Sequence, residues 1–255
     1  MIETDNLTKA FDGDPVVNRL TFSVPPGQIL GFLGPNGAGK STTVKMLTGM
    51  LEPTFGTARV AGYDIIQQPI EVKKRIGYVP EGGAIYEHLS GIEYLELVAA
   101  LHHLEPEPAQ KRSEELLHLL GLDDAKQQRI SEYSKGMRQK VLFAAALLPR
   151  PDVLFLDEPL NGLDANAAGL IKDLLQQLAA QGKTIFFSSH ILEVVERICT
   201  RIIIIQDGAL LVEGAAEQIA QDQETKTLEA AFRKLTGLGD AGQTTADLLA
   251  ALEEA

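Results

Sequence analysis

Residues Gly34 to Ser41 read GPNGAGKS, and this octapeptide constrains the chain more than any other feature. It fills every fixed position of the pattern G-x-x-x-x-G-K-[ST], in which backbone amides close around phosphate oxygens. Such a loop has to follow a strand and open a helix. The run ILGFLG at 29–34 reads as a buried strand, and residues 39–50 read as the helix that follows. Glycines permit the tight turn and bring N–H groups onto the anion. The helix N-terminus adds partial positive charge. Gly34, Pro35, Asn36, Gly37, Ala38 and Gly39 are thus the expected cradle. Lys40 is expected to reach the β- and γ-phosphates, Ser41 to offer its hydroxyl to Mg²⁺, and Thr42 to support the phosphates.

A loop of this kind needs a second ligand for the metal. Asp157 ends the apolar run VLFLD and so projects from the C-terminal end of a strand, where open α/β sheets place their ligands. Glu158 follows directly. Two adjacent acids can divide the work, Asp157 on Mg²⁺ and Glu158 on an attacking water.

The rest of the chain supports such a sheet. Its 255 residues, 45% of them hydrophobic, suffice for one large domain or two small ones. Further apolar runs, VLFLDE at 153–158, TIFFSSH at 184–190 and RIIIIQDG at 201–208, read as parallel strands covered on both faces. Residues 166–181 carry apolar positions at helical spacing and stop at Gly182. The middle, about 83–150, has no such strands and reads as a helical insertion. Ser90 and Glu93 form a capping box for a helix through Leu104, a second helix spans about 109–120, and a third starts near Ser134. The start of the chain and TARVAGYDI at 57–65 look β-rich and suit a flanking antiparallel sheet. The tail after Gly214 reads as helical and acidic, with glycines around 237–242.

Several function classes recede. The formal charge of −12 argues against a general nucleic-acid surface. VLFAAALL at 141–148 is far short of the roughly 20 apolar residues of a spanning helix. The N-terminal residues show no secretory pattern, so any membrane role needs another protein as anchor. Cys199, the single cysteine, forms no internal disulfide and reads as a small buried apolar residue.

Three further segments carry a family resemblance. YSKGMRQK, Tyr133 to Lys140, stands about twenty residues before Asp157; NGLD spans Asn161 to Asp164; His190 follows TIFFSS. With the phosphate loop, these resemble the signature, D-loop and switch histidine of the ABC ATPase family, and the likeness runs along residues 2–215. The resemblance implies an α/β fold: a P-loop NTPase core with a mostly parallel sheet, a flanking antiparallel β subdomain and the helical subdomain of about 83–150. A helical C-terminal extension then covers 216–255. It further implies that two such domains pair head to tail around two ATP molecules. Ser134 and Gly136 would donate to the γ-phosphate held by the partner. Lys40, Glu158 and His190 would be the catalytic residues, with Ser41, Glu81 and Asp157 at the metal. Phe11, in LTKAF, would stack on adenine, and Asp164 would order the dimer interface. Read from the residues alone, Ser134 and Asp164 are also helix N-caps.

Two departures matter. Lys135 and Met137 replace a glycine and the glutamine of the usual signature, and Glu81 replaces the Q-loop glutamine after IGYVP. A carboxylate serves Mg²⁺ at least as well as an amide oxygen. Both departures, with TLEAAFRKLTG at 227–237, resemble the stand-alone ATPase subunits of ABC-2-type bacterial transporters, mostly exporters. The expected protein is therefore an ATP- and Mg²⁺-dependent ATPase, peripheral on the cytoplasmic face of the cell membrane. It would pair as a homodimer and drive an integral membrane permease, with no nucleic acid bound. A soluble ABC ATPase acting on a partner such as the ribosome is the alternative.

Overall fold

The computed structural model of the protein describes residues 1–82 and 85–237. Two antiparallel strands, β1 (Ile2–Phe11) and β2 (Asp14–Val24), precede β3 (Ile29–Leu33) and helix α1 (Lys40–Leu47). Strands β4 (Phe55–Val60) and β5 (Tyr63–Asp64), the short α2 (Pro69–Lys73) and β6 (Ile76–Val79) follow. Three helices come next: α3 (Gly91–Leu101), α4 (Pro106–Leu119) and α5 (Lys135–Leu147). The chain then alternates through β7 (Val153–Asp157), α6 (Ala165–Ala180), β8 (Thr184–Ser188), α7 (Leu192–Ile198), β9 (Arg201–Gln206) and β10 (Ala209–Gly214). Helices α8 (Ala216–Asp222) and α9 (Leu228–Thr236) close the described part.

The strands form two sheets. One is four-stranded and antiparallel, in the order β2-β1-β4-β5; the other is six-stranded, in the order β10-β9-β3-β8-β7-β6. In the second, every pair from β9 to β6 is parallel and only β10 runs antiparallel. The expected fold class is observed.

Every residue of β3, β7 and β8 is buried, which explains their unbroken apolar sequence. Alternate side chains serve two cores. Leu30, Phe32, Phe155, Phe186 and Ile203 face the antiparallel sheet, where the Phe32 and Phe186 rings lie 4.9 Å apart. Ile29, Leu33, Leu154, Leu156 and Ile204 face helices α3 to α9. Each such side chain contributes about 1.5–3 kcal/mol by leaving water.

Helix starts follow local chemistry. The Ser90–Glu93 capping box is complete, Glu93 Oε2 accepting from Ser90 N at 2.7 Å. Ser134 caps α5 by accepting from Met137 N, and Asp164 caps α6 by accepting from Ala167 N. Strand β10 was not anticipated. It returns along β9 through Asp207 and Gly208, whose φ values of 49° and 77° make the two-residue I′ turn of a hairpin. The short helices α2 and α7 were not anticipated either. Of the expected extension over 216–255, residues 238–255 lie outside the described residues, as does most of the glycine-rich stretch.

Candidate active site

The C-terminal ends of β3, β6, β7 and β8 open onto one cleft of about 930 Å³. This is where a parallel sheet delivers loop residues from separate strands to a common point. The 34–41 loop forms its floor. At Gly39, φ is 100° and a Cβ would stand 2.5 Å from the Val16 carbonyl oxygen, so this turn requires glycine. The Lys40 ammonium donates to the carbonyls of Gly34 at 2.7 Å and Pro35 at 3.0 Å, curling over the loop. Burial pulls its pKa below the usual lysine value, against the opposing pull of Glu158, Asp157 and Glu81. Ala38 is the loop member turned inward, 2% exposed and packed into the core between the sheets.

Asp157 is almost fully buried and bridges two hydroxyls. Ser188 Oγ donates to its Oδ1, and Ser41 Oγ lies 3.5 Å from its Oδ2. Adjacent corners of a Mg²⁺ octahedron lie about 3 Å apart, so Ser41 and Asp157 fit two neighbouring ligand positions. Among the described residues no three His, Cys, Asp or Glu side chains cluster to hold a metal by themselves. The donor set present, one hydroxyl with one carboxylate, matches a metal completed by phosphate and water.

Glu158 adopts a left-handed backbone, φ 50°, uncommon for a residue with a Cβ. Its amide donates to Ser188 O at 3.0 Å. Its carboxylate is fixed from several sides. Oε1 accepts from His190 N at 2.8 Å and meets His190 Nδ1 at 2.8 Å; Oε2 accepts from Ser189 Oγ at 3.3 Å and Asn161 Nδ2 at 3.5 Å. The acid is thereby oriented into the cleft while the His190 ring stays mostly exposed. Glu81, just beyond β6, lines the same cleft.

Four expected site residues lie elsewhere. Ser134, Gly136, Asp164 and Phe11 do not line this cleft. Phe11 is 46% exposed at the end of β1, with the Lys9 ammonium 5.3 Å from its ring centre. The Ala167 amide holds the Asp164 carboxyl below the usual carboxylate range. Other residues join the cleft without having been anticipated: Val16, Leu192 and Phe232, the last reaching in from α9. Leu228 N, at the start of α9, donates to Glu196 Oε1 on α7 at 2.7 Å, which ties that helix down beside the His190 loop. The Tyr78 phenol is pushed up to about 12 by burial and by Asp157 and Glu81, so it stands beside the acids as a neutral group. Local spacing carries no signal for these; the TLEAAFRKLTG segment bears a family likeness, but nothing in its sequence points Phe232 at the cleft.

The sequence profile of the ABC transporter family matches residues 17–161, more than half of the chain and the whole span from the phosphate loop to Glu158. The chain belongs to the ABC transporter family. It is 37% identical over 217 residues to the ABC transporter ATP-binding protein NatA of Bacillus subtilis (strain 168), covering 85% of this chain and 88% of that protein. It is also 37% identical to the daunorubicin/doxorubicin resistance ATP-binding protein DrrA of Streptomyces peucetius, covering 86% of this chain and 66% of that protein's length. Among solved structures, an ATP-binding subunit of an ABC transporter superposes with a TM-score of 0.87 at 31% identity, covering 92% of this chain and 99% of the other. A bacterial ABC transporter cassette solved as a dimer gives 0.78 at 25% identity, covering 84% and 98%. This ABC cassette is accordingly an ATP-binding, ATP-hydrolysing subunit of the transporter family.

Proposed function

We propose that two copies of this cassette close on two ATP molecules and drive export through a separate membrane permease. The observation that carries the two-copy reading is the position of Ser134 and Gly136. They begin a helix suited to bind an anion, yet lie outside the cleft that holds Lys40, Asp157 and Glu158 of the same chain. A second copy, placed head to tail, would supply them.

In that closed state each group has a separate task. Lys40 and the 34–41 amides would neutralise β- and γ-phosphate charge. Ser41 and Asp157 would hold Mg²⁺, with Glu81 reaching it from the third strand end; bound there, the ion offsets charge on the transferring phosphoryl group. Glu158 would accept the proton of the attacking water, and His190, fixed to it through Oε1, would hold its orientation and meet the γ-phosphate. Phe11 would stack on adenine, and Asp164 would order the contact between copies.

No helix among the described residues is long and apolar enough to cross a membrane. We place the cassette on the cytoplasmic face, bound to the permease through residues 83–100. In that stretch Tyr86 and Leu101 beside it are exposed apolar side chains, 66% and 69% accessible. A tagged cassette drawn from a detergent extract should bring down a multi-span protein. Ribosomes or DNA in its place would overturn the transport reading.

Mixing two crippled proteins tests the shared site. Ser134→Arg disables the donor end and Lys40→Ala the phosphate loop, so a mixed dimer holds one doubly damaged site and one intact site. Each variant alone should be inactive, and an equal mixture should regain about a quarter of wild-type turnover, half the dimers being mixed with one working site each. A mixture no more active than its parents would show that both elements serve the same chain's site.

A further inference from the structure

We propose that Gln139 is a positioning residue for Glu158, acting through the carbonyl of Pro159. This rests on the catalytic reading of Glu158 and adds the device that keeps the acid aimed. Gln139 lies in the second turn of α5 and is 7% exposed, a neutral amide taken out of water. Such a group persists when its hydrogen bond is made. Its Nε2 donates to Pro159 O at 2.9 Å, linking α5 to the peptide immediately after Glu158.

That peptide needs an external hold. Glu158 has φ 50°, a conformation that a side chain with a Cβ resists. On the N-terminal side its amide is bonded to Ser188 O at 3.0 Å. On the C-terminal side the turn's own backbone bonds are long, Asn161 N to Glu158 O and Leu163 N to Leu160 O both at 3.3 Å. Pro159 has no N–H to contribute. The Gln139 bond is thus the shortest polar hold on the C-terminal side of Glu158.

The same helix end reinforces the contact by shape. A Cβ at Gly136 would stand 2.7 Å from Gly162 O, and one at Gly162 would stand 2.8 Å from the Lys135 Cγ. The first turn of α5 therefore lies flat on residues 159–163, with the Lys135 stem over Gly162. Lys135, one of the two signature departures, closes this contact with its methylenes. Movement of the α5 start would shift the Pro159 carbonyl and with it the Glu158 carboxylate. In the two-copy reading, the helix end that would meet one ATP is thereby linked to the acid that acts on the other.

Gln139→Met keeps the length of the side chain and removes the donor. In the full-length protein it should lower kcat about 10-fold or more, the scale of a misaimed catalytic group. ATP affinity and KM should stay within about twofold, since no binding group has moved. Because the effect passes through Glu158, adding Gln139→Met to Glu158→Gln should change the residual rate less than about twofold. Wild-type kcat for Gln139→Met, or the same fractional loss in both backgrounds, would overturn the proposal. If Glu158→Gln itself hydrolyses ATP normally, the reading of Glu158 fails instead. Should Gln139→Met not fold, Gln139→His and Gln139→Glu separate donor from acceptor. The histidine variant should retain the higher kcat, and equal or reversed rates would count against the hydrogen bond.

Discussion

Glu158→Gln should cut ATP turnover by roughly 10²-fold or more while Mg-ATP still binds, the scale expected when a positioned base is removed. The substitution is conservative in the right sense. The amide oxygen can still accept from His190 N in place of Oε1, and the amide NH2 in place of Oε2 can donate to Ser189 Oγ, whose hydroxyl also accepts. Only proton acceptance is lost. Because ATP would join the two copies, binding without hydrolysis should trap them together. Size-exclusion chromatography with Mg-ATP should show a stable dimer for the variant and mainly monomer for the wild type after turnover. A variant with the wild-type rate would remove Glu158 from the catalytic role.

The second large effect belongs to Lys40→Ala. The ammonium is partly buried, bonded to two loop carbonyls and faced by three acids that draw its charge into the cleft. Without it the Asp157, Glu158 and Glu81 carboxylates would meet the phosphates with no cation of the chain between them. Loss of one buried partner of a charge pair weakens binding by about 30-fold or more. Calorimetric titration with Mg-ATP should show that loss, with turnover falling alongside. Near-normal affinity would sink the assignment of the 34–41 loop.

How much of this was written in local sequence depends on how each residue is used. Strands β3, β7, β8 and β9 are buried on both faces, so their composition alone announces them. Strand β10 lies at a sheet edge with no residue fully buried, so its short run ALLV is not the signature of a strand covered on both faces, although the Asp207-Gly208 turn is a readable hairpin sign. Helix α7 has seven residues, too few for helical periodicity to stand out. Asp157 and Glu158 were legible because an apolar strand ends on them. The clamp around Glu158 was not, since His190 N and Ser189 Oγ arrive from the next strand of the sheet, 31–32 positions along the chain. Phe232 was less legible still, because nothing in the spacing of α9 says that it packs against α7 and faces a phosphate loop two hundred residues earlier.

The place of β3 in its sheet has a consequence for how the molecule assembles. Its neighbours are β8 and β9, and the Ile29 amide bonds Thr200 Oγ1 across 171 positions. The strand that carries the phosphate loop therefore has no sheet partner until nearly the whole cassette has left the ribosome. The β1–β2 and β4–β5 hairpins pair over short spans and can form early. Closing so long a segment makes parallel pairing slow and leaves apolar strand edges open to aggregation meanwhile. The nucleotide site can be completed only once β8 and β9 exist, and a nascent chain stopped short of them would hold GPNGAGKS on a strand without its sheet partners.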